Sequence, residues 1–264
     1  MIINVSINAA ARALGGGNRV QSGTSVEASV ADALALGRRK LTSAFSVSPP
    51  RSIDSGELLT APGPGRAIFR LCAGWANRYW RLSNDRTAVL DIYLPGDLIG
   101  LDALFGNQQQ RPVWTLTFAT LEVISAEDGL LDLMADSSIA VYICWLLGHR
   151  QRGTYRRLVA NAHFEPETRL AMMILDFHVR LRRQRLITGS SFHLPLTQTQ
   201  TGDYLSLRAA DVNRVLQSFH DERVVNVERN WVTIFDIERL KRLARGQPVL
   251  TQPSPVTETA NPIS

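Results

Sequence analysis

The chain has 264 residues, 45% of them hydrophobic and 20% charged, which is a globular composition with room for two domains and a sizeable core. Its longest apolar run, Ile139 to Leu147, falls far short of the roughly 18 residues of a membrane span, and residues 1–12 lack the basic-then-apolar order of a secretory signal. The net charge of +5 is unevenly placed, because residues 145–245 hold 17 Arg and Lys against 10 Asp and Glu, a positive excess suited to a phosphate-bearing partner. Cys72 and Cys144 are too far apart for a metal-ligand spacing and too few for a disulfide framework, so both are expected to be buried thiols in a cytoplasmic protein.

Residues 1–44 contain Gly15-Gly16-Gly17, scattered Ser and Asn, and a single helical hint at Ala28–Leu36; they are expected to form a flexible tail. From Phe45 to Ser125 the pattern is short strands between turn residues. Ser55-Gly56, Pro62-Gly63-Pro64-Gly65, Asn84-Asp85, Pro95-Gly96-Asp97 and Gly106-Asn107 punctuate it, and strands are predicted over 66–71, 75–82, 87–94, 113–119 and 121–125. That spacing predicts a small antiparallel roll or barrel within residues 45–135.

A short helix over Glu127–Met134 leads into a long one over 137–161, capped by Ser137 or Ser138. Ile139, Tyr142, Ile143, Leu146, Leu147 and Leu158 give the long helix an apolar edge, and its middle turns basic at Arg150, Arg152, Arg156 and Arg157. Glu165-Pro166-Glu167 opens a further helix whose buried side is Leu170, Met173, Ile174, Phe177 and Leu181. It ends in Arg180, Arg182, Arg183 and Arg185, which complement the helix dipole and are available to a DNA backbone.

Residues 195–235 carry the most specific pattern. Thr197 can cap a short helix that contains Gly202, Tyr204 and Leu205, with Gly202 small enough for a tight helix crossing and an end near Ser206. A second helix follows at once, with Val212, Val215, Leu216 and Phe219 on one stripe and Arg208, Asp211, Asn213, Arg214 and Gln217 opposite. With Thr197 and Gln198 at the start of the first helix, these are the expected DNA-contacting residues, since Arg matches guanine O6/N7 and Asn matches adenine N6/N7. Val224 to Ile234 forms two alternating segments around a polar turn, a wing, and the Pro- and Thr-rich stretch 246–264 is expected to be a disordered tail.

These residues resemble the Crp/Fnr regulators. The family runs Leu or Ile, Thr, several polar residues, a Gly, then Ser-Arg-Glu-Thr-Val-x-Arg; here stand Leu196-Thr197, Gly202 and Arg208-Ala209-Ala210-Asp211-Val212-Asn213-Arg214. The last arginine matches, whereas Ala209 and Ala210 replace the base-reading Arg and Glu, which implies a different target sequence. Upstream, Tyr93-Leu94-Pro95-Gly96-Asp97-Leu98-Ile99-Gly100 through Phe105 looks like the signature of the family's sensor roll. In members that bind cyclic AMP a Gly-Glu pair meets the ribose and an Arg-Ser pair the phosphate; the matching positions here are Gly100-Leu101 and Arg111-Pro112. Gly100, Leu101 and Arg111 are thus the candidate effector pocket. Leu101 and Pro112 offer no polar partner, so cyclic AMP is not expected, although Arg111 can attract another anion. Oxygen-sensing members carry a cysteine cluster ahead of the roll, and no cysteine precedes Cys72, so no iron–sulfur cluster of that kind is expected.

The resemblance implies an α+β protein: an antiparallel β-roll sensor domain (45–135), a long dimerisation helix (136–161) and a C-terminal winged helix-turn-helix (162–245). It implies a sequence-specific regulator that binds a palindromic operator in double-stranded DNA as a homodimer, with RNA polymerase as a further partner. An enzyme is not expected. A metal oxygenase on such a roll needs His ligands there, and all five histidines, 149, 163, 178, 193 and 220, lie outside it. The alternative is a ligand-sensing roll that acts through protein partners, for which DNA retention would be absent.

Overall fold

A computed structural model describes residues 23–47, 49–60, 67–81, 87–101, 112–125 and 129–245. The turns expected at 62–65, 84–85 and 106–107, Arg111, and the tail expected over 246–264 lie outside them. Two strands anchor the roll. β2 (Ala67–Ala73) pairs antiparallel with β7 (Ala119–Ser125), with Phe69 opposite Val123 and Leu71 opposite Leu121. Both strands are covered on two faces: Phe69, Leu71, Leu121 and Val123 fill the roll, while Ile68 and Ile124 pack outward under helices. The outward face also carries Arg70 and Glu122, which stand opposite each other and pair across the two strands. β1 (Arg51–Ile53) and β5 (Leu98–Ile99) complete a sheet of order β1-β7-β2-β5.

The second sheet, β4-β3-β6, comprises β3 (Ala76–Arg81), β4 (Thr87–Tyr93) and β6 (Val113–Thr115). The strand predicted over 113–119 is broken: after Thr115 the chain bends, the Leu116 amide donates to the Trp75 carbonyl at 2.8 Å, and Thr117 Oγ1 accepts from the Trp75 amide. β6 and β7 therefore serve different sheets.

The N-terminal expectation fails over Gly23–Phe45, which forms a helix, α1, of 23 residues. Leu41 and Phe45 are buried among Ile68, Ile124, Ile139 and Ile143. Lys40 pairs with Asp136, which also caps the long helix by accepting from the amides of Ser138 and Ile139. Hydrogen bonds from Lys40 and Ser138 hold the Asp136 carboxyl well below the usual range. Asp136, rather than the expected Ser137 or Ser138, is thus the N-cap of that helix.

α2 (Leu130–Ala135) is followed by the long helix α3 (Ser137–His163). The apolar edge expected to face a second chain is largely used within this one: Ile139 and Ile143 are buried against the roll and α1, with Tyr142, Leu146 and Leu147 packed beside them. Leu158 alone of that set is exposed, at 66%. The long helix leaves a different ridge free, on which Val141, Trp145, Tyr155 and Val159 join Leu158. Cys144 lies on this exposed side and Cys72 is half-buried, so neither thiol is sequestered as expected.

α4 (Pro166–Arg183) buries Leu170, Met173, Ile174, Phe177 and Leu181 as its spacing predicts. β8 (Ser191–His193), α5 (Gln198–Leu205), α6 (Ala209–Asp221), β9 (Val225–Glu228), β10 (Trp231–Ile234) and α7 (Ile237–Ala244) complete the head, with sheet order β8-β10-β9. The core of the head does not stop at its own boundary. Phe177, Phe192, Val215, Phe219 and Leu240 form one cluster with Trp75, Val89, Ile92 and Leu94 of the roll, and Trp75 meets Phe177 edge-on at 5.4 Å. Among the described residues no helix is long and apolar enough to cross a membrane.

Candidate nucleic-acid interface

The two-helix unit is assembled from local signals. Thr197 Oγ1 accepts from the Gln200 amide at 3.1 Å, and Gln200 Oε1 accepts from the Thr197 amide at 2.9 Å, which closes a capping box at the start of α5. The helix ends at Ser206, whose φ of 55° is left-handed. A Cβ on Gly202 would stand 2.6 Å from the Leu207 carbonyl oxygen, so the turn can pass this close only over a glycine. α6 then starts after Arg208 and buries Val212, Val215 and Phe219, with Leu216 partly buried beside them.

The opposite face of α6 is an exposed stripe of Ala210, Asn213, Arg214 and Gln217, with His220 and Asp221 continuing it. Spacings of three, one and three place these side chains in one row. Arg214 is 60% exposed and donates to Glu167 of α4 at 3.2 Å; Asn213 Oδ1 accepts from Gln198 at 3.2 Å; Gln217 donates to Asp221 at 2.9 Å. Arg208 is exposed at the helix start. Asp211 is half-buried and sits on the flank toward Ser218 rather than in the row. Thr197 is committed to its cap, with its hydroxyl oxygen spent on the Gln200 amide. The predicted set is therefore brought together, with Asp211 at its margin.

Next to this face the wing turns tightly. Trp231 pairs with Glu228, and the two residues between them, Arg229 and Asn230, have φ of 49° and 65°. That is the two-residue hairpin geometry that matches the twist of the strands, and it projects Arg229 at the tip. Trp231 is exposed beside it and packs against the His193 ring at 5.8 Å.

Arg180 departs from its expected role at a DNA backbone. It pairs with Asp97 of the roll and donates to the Ile92 carbonyl at 3.2 Å. Burial opposes its charge, but Asp97, Asp176 and Asp91 more than offset that and raise its pKa further. Three other cross-domain ties carry no mark in the sequence: Thr87 Oγ1 donates to Asp203 at 2.7 Å, Arg157 donates to the Leu90 carbonyl, and the Arg157 guanidinium lies 4.5 Å from the Tyr204 ring centroid. Only the local pattern Tyr93 to Asp97 marked this region.

In the candidate effector pocket, Gly100 has φ of 96° and Leu101 is 1% exposed, buried with Ile68, Leu98, Ile124, Ile139 and Ile143. Leu101 is thus part of the apolar seam between roll and helices. Among the described residues no group of three His, Cys, Asp or Glu could hold a metal ion.

A family profile described as a Crp-like helix-turn-helix domain matches residues 168–243. The fumarate and nitrate reduction regulatory protein of Vibrio cholerae is 24% identical over 190 residues, which cover 71% of this chain and 75% of that one. The transcriptional activator protein anr of Pseudomonas aeruginosa is 22% identical over 75% of this chain and 81% of its own length. The structure of FixK2 from Bradyrhizobium japonicum shares the fold with a TM-score of 0.65 at 18% identity, over 74% of this chain and 96% of that one. With the head matched by a Crp-like helix-turn-helix profile and some three quarters of the chain similar to named regulators, the protein is a DNA-binding transcription regulator that resembles the Crp/Fnr proteins.

Proposed function

We propose that the protein binds a palindromic operator as a homodimer, with α6 in the major groove, Arg214 and Asn213 reading base edges, and Arg208, Gln198 and Gln217 placing the helix on the backbone. The observation that carries this reading is the uninterrupted exposed row of α6, in which Arg214 is tied only to Glu167, Asn213 to Gln198 and Gln217 to Asp221, by bonds that water or DNA can replace. Phosphate contacts fix register and the base-edge contacts give specificity. The exposed ridge of α3 supplies the dimer face, and two-fold pairing there sets two half-sites about 34–36 Å apart. At the promoter the second partner is RNA polymerase, and the roll responds to an effector other than cyclic AMP. A genome-wide binding map with purified chain and fragmented DNA tests the reading: the expected result is a symmetric motif with half-sites one helical turn apart. Retention of fragments without any shared motif would refute it, and no retention at all would favour action through protein partners.

A further inference from the structure

Between roll and head lies a cavity of about 180 Å³, walled by the end of β4 and the turn that follows, the second half of α3, α4, and Tyr204 of α5. Its charge is unbalanced. Arg180 is answered by Asp97 and Asp176. Four further arginines, Arg150, Arg156, Arg157 and Arg169, line the same space with only one further carboxylate, Asp91. None of these four forms an ion pair with a described residue.

Three of the four are oriented by backbone carbonyls instead: Arg150 by Leu98, Arg157 by Leu90, and Arg169 by Phe164 at 2.7 Å and Leu205 at 3.3 Å. Carbonyls fix a guanidinium without neutralising it, and each guanidinium has five donors. Arg156 stands exposed at the rim. His149 also lines the cavity; burial, then Arg152 and Arg183, push its pKa below the ordinary histidine value, which favours the neutral ring. Counting five arginines against three carboxylates leaves an excess of two positive charges. Asn161 adds a polar handle: its amide nitrogen donates to Ser206 Oγ at 3.1 Å, while its Oδ1 is buried with no partner.

We propose that this cavity is a binding site for a small phosphomonoester. A phosphomonoester carries about −1.5 to −2 at neutral pH and so closes the excess of two, whereas a diester or monocarboxylate leaves half of it. The guanidinium fork matches phosphate oxygens bidentately, and a hydroxyl on the organic part of the ester donates to Asn161 Oδ1. A space of about 180 Å³ admits a phosphate with a short carbon chain and no polynucleotide. None of these residues belongs to the exposed row of α6, so the site stands or falls independently of operator recognition.

The test is calorimetry on the full chain without DNA, with glycerol 2-phosphate as probe and inorganic phosphate, dimethyl phosphate and glycerol for comparison. Glycerol 2-phosphate should bind saturably in the millimolar range or tighter, and dimethyl phosphate at least about tenfold more weakly. Arg156→Glu reverses a charge at an exposed position and should weaken the ester at least about tenfold, with the fold verified by circular dichroism. Arg242→Glu makes the same charge change on exposed α7, away from the cavity, and should leave binding unaltered. Absence of saturable binding overturns the proposal. So does equal affinity for dimethyl phosphate or inorganic phosphate, or equal weakening by Arg242→Glu.

Discussion

Arg214 is the residue on which sequence discrimination is expected to turn. Its pair with Glu167 is an exposed one, of the sort that contributes about 0–1 kcal/mol, so DNA can displace it at little cost. A bidentate Arg–guanine contact contributes about 1–3 kcal/mol of discrimination. Arg214→Ala should therefore lose most of the preference for guanine at one position of each half-site while salt-dependent background binding persists. The specific-to-non-specific affinity ratio at fixed salt measures this, and an unchanged ratio removes Arg214 from the reading role. Leu101 decides a second matter. Its side chain is packed in an apolar seam, and a ribose hydroxyl left unpaired against it costs about 1–3 kcal/mol. Calorimetry with cyclic AMP should show no binding at physiological concentrations; a micromolar dissociation constant would mean that the pocket lies elsewhere in the roll. The exposed placement of Arg214 and Asn213 and the tight turn at Gly202 were legible because each follows from spacing within a few residues. Arg180 was not, because a basic residue in the last turn of a helix satisfies the dipole equally well whether or not a carboxylate of the roll lies across from it.

At the scale of elements, the helices that bury several large apolar residues are legible in the sequence, whereas those that pack through one or two such residues are not. α1 packs through Gly37, Leu41 and Phe45 at four-residue spacing. A Cβ on Gly37 would fall 2.0 Å from the Ser138 carbonyl oxygen, so this helix lies against the backbone of α3. Close backbone contact demands a small residue, and a small residue erases the hydrophobic signal. α7 is short, with Asp236 as its cap and Leu240 as its buried residue, and β1, β5 and β8 are two or three residues each, too brief for a period to show. The ridge of α3 was obscured for another reason: the more apolar edge belongs to the chain's own core, and the free side is mixed. Val141, Cys144, Gly148, Gln151, Tyr155 and Leu158 recur at alternating three- and four-residue intervals, the spacing of a two-stranded seam. In a parallel two-fold pair each of these faces its own copy, which puts Cys144 against Cys144. A short bis-maleimide should therefore join two chains through Cys144, and Cys144→Ser should abolish the product. Failure to crosslink a chain that sediments as a dimer would place the dimer axis elsewhere.

For the whole molecule, the head is held on the roll by a continuous apolar cluster and a small set of polar ties, and these ties stand well apart from the α6 row. Asp97 is the sharpest point at which to test that arrangement. Its carboxylate accepts from the Leu94 amide at 2.8 Å within its own turn and pairs with Arg180 of α4. Asp97→Asn keeps an acceptor for the turn and removes the charge, which leaves Arg180 with the more exposed Asp176. Removing one partner of a buried pair costs about 3–5 kcal/mol; with both side chains here about a quarter exposed, solvent screening brings the expected loss to about 1–3 kcal/mol. Because Arg180 bridges α4 and the roll, that loss should fall on their junction. Amide exchange should accelerate first in β4 and α5, where Thr87 meets Asp203, while the β9–β10 hairpin, which is paired within the head, keeps its protection. Unchanged stability and unchanged exchange across the junction would show that the apolar cluster alone fixes the head, and that the Arg180–Asp97 pair contributes nothing to holding it there.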